Sequence, residues 1–238
     1  MRFYANTDKG LRRLQNEDCF VNLTLPKNRF FCAVFDGMGG AAAGEIASRI
    51  AGESFLRVLR ENREGEPSFL LRTAALTANE EILRYAEKNP EAAGMGTTVS
   101  ALFVGGDGVY SLSIGDSRTY RLRGGELARL TRDDSYVQAL IDRGAITREE
   151  AEYHPRRNVI TAALGALPKG LPRVNFFAKQ AGDLYLLCTD GLTGMVSEEK
   201  IKNILCQGMP PEEAVGYLLA AANEGGGRDN ITAAVLTL

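Results

Sequence analysis

The sequence predicts an α+β chain. An apolar run, Phe30 to Phe35, ends at Asp36 and a glycine-rich turn, Gly37-Met-Gly-Gly40, after which Ile46, Ala47, Ile50, Ala51, Phe55, Val58 and Leu59 continue at helical spacing. That is a buried strand feeding an amphipathic helix. Four short strand-like runs then follow closely between residues 97 and 130, as in an antiparallel meander. Near the C-terminus two helical stretches precede a closing strand, Ile231 to Leu238.

In chain order, a short strand (Phe3 to Asn6) leads through a polar loop containing Gly10, Arg12 and Arg13 to Asn16-Glu17-Asp18 and a second strand, Cys19 to Leu25. Asn-Glu-Asp beside a strand start is also ordinary turn chemistry. After the central strand and its helix, residues 61–67 read as a loop. A second amphipathic helix over about 68–88 puts Leu70, Leu71, Ala74, Ala75, Ala78, Ile82 and Tyr85 on its apolar side. The strands at 97–104, 109–114, 118–123 and 126–130 are separated by Gly-Gly-Asp-Gly (105–108), Gly115-Asp-Ser and Gly124-Gly125. A hairpin turn accounts fully for Asp107. Residues 131–170 are charged and irregular, with a short helix near Tyr136 to Arg143 and the single histidine, His154, in a setting that usually makes histidine structural or solvated. Strand 183–188 runs into Thr189-Asp190-Gly191, repeating the Asp36-Gly37 device. Helices over about 197–207 and 211–223 follow, then Gly225-Gly-Gly-Arg-Asp229-Asn230.

With 238 residues the chain can bury most of its apolar surface without disulfides. Its 28 Lys and Arg against 30 Asp and Glu, a formal charge of −2, argue against a general nucleic-acid binder. Cys19, Cys32, Cys188 and Cys206 lie far apart with no C-x-x-C spacing and read as reduced core thiols. No apolar run suits a signal peptide or a membrane span, so the expectation is a soluble, cytoplasmic protein without a membrane partner. No repeat, low-complexity tract or linker divides it, so residues 1–238 are expected to form a single domain.

The chemistry rests on acids. Asp36, Asp190 and Asp229 each sit at a strand boundary beside glycine or asparagine, with Glu17, Asp18 and Asp116 in similar places. A buried carboxylate is costly unless it is paired or holds a metal. If the strand ends converge, the carboxylates cannot all stay ionised without cations. Oxygen donors without histidine or cysteine suit Mg²⁺ or Mn²⁺ and argue against zinc. Two such ions about 4 Å apart clamp a phosphate and acidify a water between them. Arg13 and Arg118 offer guanidinium forks for phosphate oxygens.

These pieces resemble the metal-dependent protein serine/threonine phosphatases, the PPM family, type 2C, in a compact bacterial form. The resemblance is carried in order by Thr7-Asp-Lys-Gly10, Arg13, Asn16-Glu-Asp18, Val34-Phe-Asp36-Gly-Met-Gly-Gly40, Gly96-Thr-Thr98, Gly115-Asp-Ser-Arg118, Leu130-Thr with Asp133 and Ser135, His154-Pro with Asn158, Leu187-Cys-Thr-Asp190-Gly-Leu192 and Asp229-Asn-Ile-Thr232. It implies a four-layer α/β/β/α sandwich, two central antiparallel sheets flanked by pairs of helices, with a binuclear Mn²⁺ or Mg²⁺ centre at one end. By that resemblance Asp36 bridges two ions. The Gly37 carbonyl and water held by Glu17 and Asp18 complete one site, and Asp190 with Asp229 the other. Asp116 with Asp190 matches a third ion site, Arg13 matches the phosphate-binding arginine, and residues 133–160 correspond to a flap beside the active site. The implied reaction is hydrolysis of phosphoserine and phosphothreonine in proteins by a metal-activated water with no phosphoenzyme. The implied partners are phosphorylated proteins, a cognate Ser/Thr kinase among them, and the protein is expected to act as a monomer. Two positions depart from the family: Asp133-Asp134-Ser135 lacks the usual histidine, and Met38 replaces the eukaryotic histidine, a candidate general acid, so that leaving-group protonation would fall to metal-bound water, with His154 as a less favoured donor.

The main rival is a dinucleotide-binding domain, since Gly37-Met-Gly39-Gly-Ala-Ala42 fits G-x-G-x-x-[GA] between a strand and a helix. It fails because no second parallel strand follows the helix and Asp36 would repel a pyrophosphate. Two further rivals share the fold: a phosphatase-like regulator that only binds partners, and a hydrolase of small phosphate esters.

Overall fold

The computed structural model describes residues 1–39, 43–168 and 172–238. Gly40 of the glycine-rich turn and the Ala41-Ala42 that completes the dinucleotide fingerprint lie outside the described residues. Two antiparallel sheets form the centre. One runs β1 (Arg2–Asp8), β11 (Ile231–Thr237), β10 (Leu184–Cys188), β7 (Arg118–Arg123), β8 (Glu126–Arg129). The other runs β2 (Asp18–Leu25), β3 (Arg29–Met38), β5 (Val99–Val104), β6 (Val109–Ile114), β9 (Val174–Phe177), with the two-residue β4 (Gly96–Thr97) paired to the end of β3.

The apolar runs become intelligible once both faces of a central strand are buried. Along β3, Phe31, Ala33 and Phe35 point into one core, and Phe30, Cys32 and Val34 into the core between the sheets. Strand β10 divides likewise: Tyr185 and Leu187 face the other sheet, while Leu184, Leu186 and Cys188 face helices. Helices α1 (Ala43–Glu61) and α2 (Pro67–Lys88) cover the β2/β3 sheet. Small residues let α1 lie close; a Cβ on Gly52 would stand 2.9 Å from Val21 Cγ1. Glu66 starts α2 by accepting hydrogen bonds from the Ser68 and Phe69 amides, ahead of Pro67 in the first turn. Two short helices, α3 (Tyr136–Asp142) and α4 (Arg148–Glu152), lie in the 131–170 region, and α5 (Asp190–Thr193), α6 (Glu198–Leu205) and α7 (Pro211–Glu224) cover the other sheet. The four layers match the expected sandwich. Every pairing between the named strands is antiparallel, which removes the dinucleotide-binding rival.

Three expectations need correction. The single meander over 97–130 splits at Gly115, because β6 pairs with β5 and β9 whereas β7 pairs with β10 and β8 in the opposite sheet. At the crossing, buried hydroxyl pairs link the layers: Thr98 Oγ1 with Ser117 Oγ and Ser100 Oγ with Thr119 Oγ1, both 2.7 Å. A glycine turn reads the same in sequence whether the chain folds back or changes sheets. Asp36 lies within β3 rather than at its tip, because Gly37 and Met38 pair with Thr97 and Gly96. The cysteines are all free, but only Cys32 and Cys188 are buried; Cys206 is exposed, past the end of α6.

No helix among the described residues is long and apolar enough to cross a membrane.

Candidate active site

The sheet registers place the acids. Asp18, at the start of β2, is the direct cross-strand partner of Asp36 in β3. Asp116 sits in the β6–β7 crossing, Asp190 opens α5 with only Thr189 between it and β10, and Asp229 is separated from β11 by Asn230 alone. Cys188 and Arg118 are partners at the same end of their sheet. Strand ends from both sheets therefore bring Asp18, Asp36, Asp116, Asp190 and Asp229 to one end of the sandwich, as their mutual electrostatics show.

Burial raises the Asp36 carboxyl well above the ordinary aspartate range, and Asp18, Asp190, Asp116 and Asp229 push it further. Asp18 is pushed up to about 7, first by burial, against the hydrogen bonds from Thr232 and Thr189. Asp116 is also pushed up to about 7 by burial, Asp190 and Asp133. Asp190 is raised by burial and Asp229, while a hydrogen bond with Asp36 works the other way. Glu17 is raised by burial, opposed by Arg13 and a hydrogen bond from the Gly44 amide.

Asp18 carries the most telling geometry. Its Oδ2 accepts from Thr189 Oγ1 at 2.9 Å and Thr232 Oγ1 at 2.6 Å, both from the opposite sheet. Its Oδ1 is buried without any hydrogen-bond partner. An orphaned buried carboxylate oxygen is a rare and costly arrangement that a cation resolves. Among the described residues no three Asp, Glu, His or Cys side chains already close around one point as a ligand shell. The carboxylates are near enough to raise one another's pKa. Their all-oxygen chemistry, with the orphaned Oδ1, fits Mg²⁺ or Mn²⁺.

Glycine is obligatory beside them. A Cβ on Gly37 would lie 2.1 Å from the Gly44 carbonyl oxygen and 2.5 Å from that of Glu17. The Gly37 amide donates to the Glu17 carbonyl at 3.2 Å and Ser48 Oγ donates to the same carbonyl at 2.6 Å, locking β3, α1 and the loop before β2 together.

The two arginines part company. Arg13, exposed on the β1–β2 loop, reaches Asp229 with Nη2 to Oδ2 at 2.8 Å. Burial would lower its pKa, but the bond and charge of Asp229 raise it. The Arg118 fork is already used: Nη2 donates to Asp133 Oδ2 at 2.9 Å and Nε to Oδ1 at 3.3 Å. It anchors the root of residues 133–160 and is not available to a phosphate. His154 accepts the Arg156 amide on Nδ1 at 3.0 Å, beside the Tyr136 ring. Asp107 accepts the Tyr110 hydroxyl at 2.5 Å in its hairpin turn.

Sequence reasoning assigned no role to Thr189, Thr232 or Asn230. Asn230 is buried and fully bonded: its Oδ1 accepts the Glu17 amide at 2.8 Å, and Nδ2 donates to the Lys9 and Gln15 carbonyls, each at 2.9 Å. The signal was their adjacency to Asp190, Asp229 and β11. Their partners lie some two hundred residues away and could not be read from spacing.

Comparison with known proteins places the chain in a family. The family model described as Protein phosphatase 2C matches residues 11–223. The chain is 39% identical over 237 residues to the serine/threonine protein phosphatase PstP of Mycobacterium tuberculosis, covering 99% of this chain but only 44% of that protein. It is 37% identical over 236 residues to the serine/threonine phosphatase stp of Listeria monocytogenes, covering 95% of this chain and 91% of that one. A crystal structure of the PstP catalytic domain in complex with two manganese ions superposes with a TM-score of 0.87 at 38% identity, over 98% of this chain and 96% of that one. With a family match across most of its length and relatives of this similarity, the chain belongs to the protein phosphatase 2C family.

Proposed function

We propose that this protein hydrolyses phosphoserine and phosphothreonine in other proteins, with two Mn²⁺ or Mg²⁺ ions held by Asp36, Asp190, Asp229 and the Gly37 carbonyl. In this reading Glu17 and Asp18 hold water around one ion, and Asp116 with Asp190 offers a third site. The observation that carries it is the convergence of five carboxylates from both sheets, with Asp18 Oδ1 buried and unpartnered. When bound, such ions neutralise phosphate charge and acidify water. The chain's own residues do the rest. Thr189 and Thr232 fix Asp18. Arg13, half exposed and already oriented by Asp229, presents its remaining donors to phosphate oxygens. Water rather than a side chain attacks phosphorus, since the buried Cys32 and Cys188 thiols are pushed far up by burial and are poor nucleophiles.

Residues 133–160 act as a flap beside the site, its root tied down by Arg118–Asp133 and by the Asp134 amide on the Gly115 carbonyl at 2.8 Å. The substrates are phosphoproteins, a partner Ser/Thr kinase among them, met by one domain acting as a monomer. The names of the relatives support the substrate class.

Matched phosphothreonine, phosphoserine and phosphotyrosine peptides test this alongside a small aryl phosphate. Turnover of the first two well above the others is expected; equal or better turnover of the aryl phosphate would favour a small-ester hydrolase. In ¹⁸O-labelled water the released phosphate gains one label and no phosphoprotein accumulates. Trapping a phosphorylated side chain would refute the water nucleophile.

A further inference from the structure

We infer that Asn230 is the positioning residue of the phosphate-binding loop, setting where the Arg13 guanidinium and the Glu17 carboxylate stand relative to Asp229. The inference deepens the proposed function and rests on it for the role of phosphate. Residues 9–17 have neither helix nor strand to hold them. Arg13 is a long side chain, half exposed, whose placement is only as good as the backbone beneath it. That backbone is tied at three points by one buried amide: Nδ2 to the carbonyls of Lys9 and Gln15, on either side of Arg13, and Oδ1 to the Glu17 amide. The Asn230 backbone amide meanwhile donates to Asp229 Oδ1 at 2.8 Å, leaving Oδ2 to Arg13. One residue thus aligns both members of the Arg13–Asp229 pair.

Few side chains meet these demands. Two donors and an acceptor at this reach are what a carboxamide offers, and an aspartate would set an oxygen against two carbonyls. The loop is also pressed against the same segment. A Cβ on Gly10, whose φ is +76°, would lie 2.2 Å from the Asp229 carbonyl oxygen, and the Leu11 amide donates to the Gly227 carbonyl at 2.7 Å. Asn230 is buried, its side-chain polar atoms are taken up by the loop, and it acts through Arg13 and Glu17.

The test is a double-mutant cycle between Asn230→Ala and Arg13→Ala in the Mn²⁺-loaded protein. It reads the Kd for inorganic phosphate by calorimetry and KM and kcat for a phosphothreonine peptide. In Asn230→Ala, phosphate Kd and KM are expected to rise about tenfold each with kcat within about threefold, as loss of hydrogen bonds that orient a binding group does. In the Arg13→Ala background the same change adds less than about twofold to the phosphate Kd, because the guanidinium that reaches phosphate is gone and the remaining tie, to Glu17, acts on the metal side of the site. Independent, multiplying effects, or an unchanged phosphate Kd, would overturn the inference. Should Asn230→Ala fail to fold, Asn230→Ser, which leaves room for a bridging water, carries the same cycle. Wild-type protein that binds phosphate but hydrolyses no phosphopeptide would sink the proposed function while the phosphate constants still decide the clamp; wild-type protein that binds no phosphate would sink both.

Discussion

A buried carboxylate with one oxygen satisfied and the other bare is stable only as part of something larger. At Asp18 the satisfied oxygen is held by hydroxyls of Thr189 and Thr232, and the other is buried without a partner. Thr232→Val, which keeps the shape and removes the donor, is expected to weaken Mn²⁺ binding by about 10–100-fold, the usual cost of losing an outer-shell hydrogen bond at a metal site. Calorimetric titration reads this directly, and unchanged affinity would remove Thr232 from the site. Asp183 shows a different balance, far from the acids. Burial would raise its carboxyl, but hydrogen bonds from Arg123, the Gln180 amide and Tyr185 hold it below the ordinary aspartate value. The unfolded chain therefore takes up a proton here more readily than the folded one. The stability Asp183 contributes is full above the ordinary aspartate range and disappears as pH falls through its lower folded value. Urea unfolding across pH 3 to 6 is expected to show a shallower acid limb for Asp183→Asn; a limb of unchanged slope would contradict this. The acids were legible at this scale because Asp-Gly after an apolar strand is a local pattern. The threonines and Asn230 were not, because their meaning lies in partners far away in sequence: Asp18 of the other sheet for the threonines, and the β1–β2 loop for Asn230.

At the scale of elements, β3 and α1 form the frame on which the site is hung. Phe55 of α1 packs between Phe31 and Phe35 of β3, with ring centroids 5.8 and 5.5 Å apart. Phe55→Ala is expected to cost about 3–5 kcal/mol by leaving a cavity in a core with no slack, measurable by denaturant unfolding. A loss under about 1 kcal/mol would mean that the strand–helix contact is not what holds them. Long elements were legible from periodicity: α1, α2 and α7 fall close to their expected bounds. Three short elements, α4, α5 and β9, were not, since one turn or one pleat carries too little pattern, whereas the equally short β8 and β10 were marked by the glycine pair before the one and the all-apolar run of the other. The crossing at Gly115 was illegible for a further reason. The hydroxyl pairs Thr98–Ser117 and Ser100–Thr119 that bridge the sheets join residues nineteen apart, and nothing in the turn itself selects them.

Taken whole, the molecule is two sheets back to back, each covered by its own helices, with the inter-sheet core of Phe30, Val34, Leu102, Tyr185, Leu187 and Leu236 fixing their relative position. The carboxylates from both sheets meet at one end of that core, so a cation bound there ties the two halves together and binds only the folded state. Saturating Mn²⁺, at about 100 times its Kd, is expected to add about 2.7 kcal/mol of stability. A melting temperature that does not move with Mn²⁺ would argue against the site. The resemblance carried by motifs spread along the chain anticipated this architecture, because those motifs are the strand ends themselves.

The most direct test is hydrolysis of a phosphothreonine peptide by wild type and Asp190→Asn, with Mn²⁺ and with EDTA. Turnover that requires Mn²⁺, vanishes in EDTA and falls by orders of magnitude in a folded Asp190→Asn protein is the predicted result. Undiminished turnover in EDTA, or in Asp190→Asn, would contradict the claim that carboxylates gathered from both sheets make this fold a metal-dependent phosphatase.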